Sequence, residues 1–126
     1  MKRAIAAAIV LLLMILTALY GQITVTETIA AIQEKILSID DALASNDIES
    51  ALSDCYELLD SWEGYHSRLC LFLQHEHLDP LENVFALLPY YIECGDIVPA
   101  SAECKLVYME TEHILKTERP ALENIF

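Results

Sequence analysis

Val25-Thr26-Glu27-Thr28-Ile29-Ala30-Ala31-Ile32-Gln33-Glu34-Lys35-Ile36-Leu37-Ser38-Ile39-Asp40-Asp41-Ala42-Leu43 decides the fold class. Its branched aliphatics Val25, Ile29, Ile32, Ile36, Ile39 and Leu43 recur at alternating spacings of four and three. A helix gathers such positions into one heptad-like stripe. Gln33, Glu34, Lys35, Asp40 and Asp41 fall off that stripe, so one face is apolar and the other wet. The segment Ile23-Thr24-Val25-Thr26 alternates as a strand would, but one so short cannot make a sheet alone. It reads as a helix continuing from upstream, and Ser45-Asn46-Asp47 ends that helix.

Upstream, Lys2 and Arg3 precede Ala4–Tyr20, a run in which only Thr17 is polar. At 1.5 Å per residue this run makes about 26 Å of helix, close to the roughly 30 Å of a bilayer core. Ile23 and Val25 extend the apolar stretch past Gly21. Basic residues before the run and acids after it place the N-terminus in the cytoplasm and the rest outside, a single-pass protein of the cell membrane. A cleaved signal peptide is the rival reading. It is disfavoured because Thr17-Ala18-Leu19-Tyr20-Gly21 lacks paired small residues at a cleavage site. No cysteine follows the run, so a lipoprotein-type anchor has no attachment residue. Residues 1–21 are therefore expected to form the anchor or signal sequence, and residues 22–126 an acidic extracytoplasmic body.

Downstream, three further helices are expected. Asp47 can cap the first, whose stripe is Ile48, Ala51 or Leu52, Cys55, Leu59, Trp62, His66, Leu69 and Leu73, running to about His75. In His77-Leu78-Asp79-Pro80, Asp79 reads as a cap, Pro80 as the first helical residue and Glu82 as the closing member of a capping-box-like pattern. Leu81, Val84, Leu88 and Tyr91 form that helix's stripe, with a kink expected at Pro89. Gly95 suits a left-handed C-terminal position. The last helix, from near Pro99 to before Pro120, points Ala100, Cys104, Val107, Thr111 and Ile114 inward. Asn46-Asp47-Ile48-x-x-Ala51-x-x-x-Cys55 recurs as Gly95-Asp96-Ile97-x-x-Ala100-x-x-x-Cys104, so the body reads as two helical hairpins. Two copies are too few for a solenoid. The fold class is thus all-α: an N-terminal transmembrane helix followed by a four-helix antiparallel bundle. In that arrangement the Gln74–Asp79 loop lies near the membrane, and Leu122, Ile125 and Phe126 of the tail close the bundle's bottom or touch the interface.

Charge narrows the function. The chain of 126 residues has 7 basic and 20 acidic side chains, a net charge of −13. That excludes nucleic-acid binding through a basic face. Both residues Lys2 and Arg3 precede Gln22 and no acid does, so the body is more acidic still. Anionic lipid head groups repel such a body, which is expected to stand off the membrane.

The order of features resembles a known family. A basic-flanked anchor leads to a hairpin containing Trp62, then Phe72-Leu73-Gln74-His75-Glu76-His77-Leu78-Asp79, then a terminal Leu122-Glu123-Asn124-Ile125-Phe126. This resembles the domain-of-unknown-function family 4363, short, N-terminally anchored, all-helical proteins from Gram-positive spore-forming bacteria. Pro89 and His77 depart from the usual pattern. The resemblance implies fold and location and no activity.

The chemistry-bearing residues leave few possibilities. Cys55, Cys70, Cys94 and Cys104 contain no C-x-x-C pair, so redox, zinc-ribbon and haem-attachment motifs are absent. An exported domain with four cysteines suggests disulfides. Cys70 and Cys104 are expected at similar heights, although Cys55 and Cys104 also suit the role of small core residues. His75 and His77 diverge on a helix; in an extended loop both can meet one divalent ion with Asp79 or Glu76. His113, with Glu112 or Glu118, descends toward the same level, giving a conceivable three-ligand Zn²⁺ or Cu²⁺ site at His75, His77 and His113. Trp62 is expected to be a structural core residue. No nucleophile–base pair, phosphate loop or calcium loop is present, and Asp40-Asp41 lies on a solvent face with nothing to raise a pKa. The expectation is a non-enzyme without cofactor: an envelope protein that binds a protein partner, or else a metal- or small-ligand-binding sensor using the His75–His77 loop and His113.

Overall fold

The computed structural model describes residues 1–118, and the tail from Pro120 with its expected Leu122, Ile125 and Phe126 contacts lies outside them. Among the described residues four helices follow one another: α1 (Lys2–Ala44), α2 (Ile48–Cys70), α3 (His75–Glu93) and α4 (Ile97–Glu118). No strand occurs among the described residues. α1 packs on α2 and α4, and α3 packs on the same two, so the four close into a ring around one core. Short turns reverse the chain each time, which gives neighbours antiparallel directions.

α1 is a single helix of 43 residues; the apolar N-terminal run and the first bundle helix are one element. Its length is about 65 Å, against about 35 Å for α2. The excess, about 30 Å, projects from the bundle. Residues 1–20 are exposed throughout, and burial begins at Gly21. From there the six stripe residues Val25, Ile29, Ile32, Ile36, Ile39 and Leu43 are essentially sealed from solvent. α4 matches its expected stripe equally well, with Ala100, Cys104, Val107, Thr111 and Ile114 all buried.

The two middle helices correct the sequence reading. In α2 Leu58 is buried in place of the expected Leu59, which is half-buried, and of the alternatives Ala51 and Leu52 it is Ala51 that takes the inner place. α2 also stops at Cys70 rather than near His75. α3 starts at His75, with extended Gln74 as its first flanking residue, so neither Asp79 nor Pro80 begins it. One extra turn at the start brings Leu78 onto the inner face above Leu81, and both are fully buried. Pro80 then sits inside the helix, where its missing N–H leaves the Glu76 carbonyl without its partner one turn on. Glu76 is exposed, so water can serve that carbonyl. The helix likewise runs through Pro89 to Glu93, and Phe85 and Ile92 join the core.

The turns at the far end of the bundle are built alike. Asn46 has φ 57 and Gly95 φ 77, both left-handed. After the first, the Asp47 carboxylate accepts a hydrogen bond from the Ser50 amide at 3.2 Å; the Ser50 hydroxyl first, and this amide second, hold the Asp47 carboxyl below its ordinary pKa. Polar bonds cross three of the four helix seams. Gln33 Nε2 donates to Thr111 Oγ1 and Glu112 Oε1, each at 3.0 Å, and Ser101 Oγ donates to Asp40 at 2.7 Å, both between α1 and α4. Lys35 reaches Glu57 at 2.6 Å and Asp54 at 3.6 Å on α2, and Tyr56 donates to Glu93 on α3. No buried side-chain nitrogen or oxygen among the described residues lacks a partner.

Candidate functional site

At the α2–α3 corner, two elements bring metal-binding side chains together. His66 and Cys70 lie one turn apart on the last turns of α2, on one face of the helix. The chain then turns through Leu71–Gln74, and His75 opens α3. Cys70 Sγ is 3.6 Å from both His66 Nδ1 and His66 Nε2, and 3.6 Å from His75 Nδ1. The two imidazoles are 5.8 Å apart between ring centres. One ligand atom from each of the three residues lies within 4.8 Å of the others. His66 and Cys70 are half-buried, and His75 is exposed.

The core holds this corner from behind. Trp62 is only 8% exposed, its ring edge-on to Phe85 at 4.9 Å and tilted against His66 at 5.5 Å. The His66 ring is therefore backed by a side chain fixed in the core. On the α1 side, Phe72 of the turn lies over Gly21, and its ring meets that of Tyr20 edge-on at 6.2 Å. The corner thus sits where α1 leaves the bundle.

The histidine grouping expected from sequence differs. His75 pairs with His66 and Cys70, not with His77 and His113. His77 is exposed on a helix, two residues from His75, and so points elsewhere. His113 is exposed on α4, which packs on α1 and α3 and not on α2. Its neighbour Glu112 bonds Gln33, about 18 Å of helix beyond Gly21. The signal overlooked in the sequence is His66-x-x-x-Cys70, a same-face pair on a strongly expected helix.

The cysteines are also rearranged. All four are free thiols. Cys70 and Cys104 are not at similar heights: Cys104 lies beside Ile36 and Asp40, whereas Arg68, two residues before Cys70, borders Tyr20 and Thr24. More than a dozen residues of α1 separate those levels, roughly 20 Å, and a disulfide needs Cα atoms within about 7 Å. Cys104 instead shares its level with Cys55, as the internal repeat requires, because each lies the same number of residues after a far-end turn. Burial pushes both thiols up to about 12, with the charge of Glu93 adding to the effect on Cys55 and that of Asp40 to the effect on Cys104. They are inert core residues.

Comparison with curated proteins and with solved structures gives no match. The family model of a domain of unknown function, DUF4363, matches residues 19–125, which span the bundle half of α1 and all of the helices that follow it. The chain belongs to the DUF4363 family.

Proposed function

We propose that this protein is a non-enzymatic accessory factor of the cell envelope, anchored by the first twenty residues of α1 with its N-terminus in the cytoplasm and its bundle outside. The observation that carries this reading is the projecting half of α1. It is apolar, it is exposed along its length with only Phe72 of the α2–α3 turn against its base among the described residues, and its excess over α2 is about the 30 Å of a hydrocarbon core. Tyr20 and Phe72 meet at its base, the position at which aromatic rings favour a membrane–water boundary. Leu71, 75% exposed, extends from the same turn. These apolar groups bring the α2–α3 turn to the bilayer surface, with exposed Glu76 and Asp79 at the same corner kept in water.

A protein partner is favoured by the seam between α1 and α4. There Leu37 and Met109 are exposed and border a largely apolar groove with Tyr108. The test combines fractionation with external protease on intact cells expressing a C-terminally tagged chain. The expected result is a full-length chain in the membrane fraction whose tag is removed by protease. A tag protected in intact cells would refute the orientation, and a mature chain starting near Gln22 would refute the anchor. Loss of cross-linked partners on Leu37→Asp with Met109→Asp would support the seam as the contact surface; unchanged cross-links would refute it.

A further inference from the structure

We propose that His66, Cys70 and His75 form a zinc site at the α2–α3 corner. The argument begins with spacing. A tetrahedral zinc ion with Zn–S of about 2.3 Å and Zn–N of about 2.05 Å sets its sulfur and nitrogen ligands about 3.6 Å apart. The distances from Cys70 Sγ to the nearest nitrogens of both histidines are 3.6 Å. Both His66 nitrogens are equally far from the sulfur, so binding requires that ring to rotate and aim one of them at the ion.

The ligand set selects the metal class. One thiolate and two neutral imidazoles suit a borderline-soft cation such as Zn²⁺. They do not suit Mg²⁺ or Ca²⁺, which take oxygen ligands. Binding replaces the thiol proton with a Zn–S bond and releases that proton to solvent. Three protein ligands leave one tetrahedral position, which water fills on the exposed His75 side. The site is partly preorganised: Trp62 backs the His66 ring, and His66 and Cys70 share one helix face. The ion would tie the last turn of α2 to the first turn of α3 across Leu71–Gln74. This proposal is independent of the anchoring and partner readings, since it uses neither α1 nor the α1–α4 seam.

The experiment uses the full chain in detergent micelles, reduced and stripped of metal, titrated with Zn²⁺ by calorimetry and with Co²⁺ by absorption. One equivalent is expected to bind, and cobalt should give a thiolate-to-metal charge-transfer band. Cys70→Ser and His75→Ala, both outside the buried core, should each lose more affinity than the roughly 10–100-fold that removing a mere supporting partner of a ligand costs, and should abolish or weaken that band. His77→Ala and His113→Ala should bind as the wild type does. Zinc should also raise the Tm of the wild type and not of Cys70→Ser. Absence of the charge-transfer band, or wild-type zinc affinity in Cys70→Ser with its helical spectrum intact, would overturn the site; the latter would assign the ion to surface carboxylates.

Discussion

Gly21→Ala offers a sign test of how the bundle meets the projecting part of α1. Gly21 is buried inside α1, where alanine is favoured over glycine by about 0.5–1 kcal/mol. Taken alone, the substitution should stabilise. The structure predicts the reverse, because a Cβ at this position would stand 2.6 and 2.7 Å from two Phe72 ring carbons and 3.3 Å from a third. Carbon atoms pack best at about 3.5–4.0 Å, so the ring must retreat by about 1 Å. The contact includes the ring carbon nearest the backbone, so a swing of the ring's far edge does not relieve it. Overpacking of this kind costs about 1–3 kcal/mol, and disturbing the edge contact with Tyr20 adds up to about 1 kcal/mol. The net expectation is a loss of about 1–2 kcal/mol. In a Phe72→Ala background the obstruction is gone, and Gly21→Ala should instead gain about 0.5–1 kcal/mol. A double-mutant cycle therefore has a coupling of about 2 kcal/mol with a change of sign. Urea unfolding in micelles, followed by far-ultraviolet circular dichroism, reads all four corners of the cycle. If Gly21→Ala stabilises equally in both backgrounds, Phe72 does not lie over Gly21, and the seating of the α2–α3 turn against α1 is refuted.

Trp62→Ala should cost about 3–5 kcal/mol, since Trp62 is 8% exposed and edge-on to Phe85; a loss below about 1 kcal/mol with an unchanged urea slope would show that the indole does not fill the core. Gly95→Ala should cost about 1–2 kcal/mol from backbone strain alone, because φ is +77 there and nothing lies near enough to clash; chemical denaturation with no change would place the turn in another conformation. Cys55 and Cys104 have thiols raised from 9.0 to about 12, so the folded state keeps protons that the unfolded state releases. Their contribution is whole below about pH 9 and is lost as pH rises toward about 12; Cys55→Ala with Cys104→Ala should flatten that alkaline decline in Tm. In the native chain, alkylation followed by mass spectrometry should mark exposed Cys94 first and leave Cys55 and Cys104 unreacted until unfolding.

Much of the architecture was legible in the residues themselves. The stripe from Val25 to Leu43 and the one from Ala100 to Ile114 lie on helices that bury one face, and there periodicity alone names the core. The apolar run Ala4–Tyr20 and its continuation into Val25 needed only length and charge to read. The far-end turns were legible too, because Asn46 and Gly95 are residue types that accept a left-handed backbone. In the middle of the chain, local signals competed. Asp79-Pro80 is a strong helix start by capping chemistry, yet α3 starts at His75, because burying Leu78 beside Leu81 outweighs one lost backbone bond at Pro80. Leu58 and Leu59 are adjacent and equally apolar, so only the position of α2 against α1 and α3 chooses Leu58. The candidate metal site shows the same division. His66 and Cys70 sit four apart, and the sequence alone makes them neighbours on α2. His75 belongs to another helix, and whether it meets them rather than His77 and His113 depends on how sharply Leu71–Gln74 turns and on which helices touch. Helical period fixes neighbours along one element; the pairing of side chains across elements depends on heights and faces that packing alone decides.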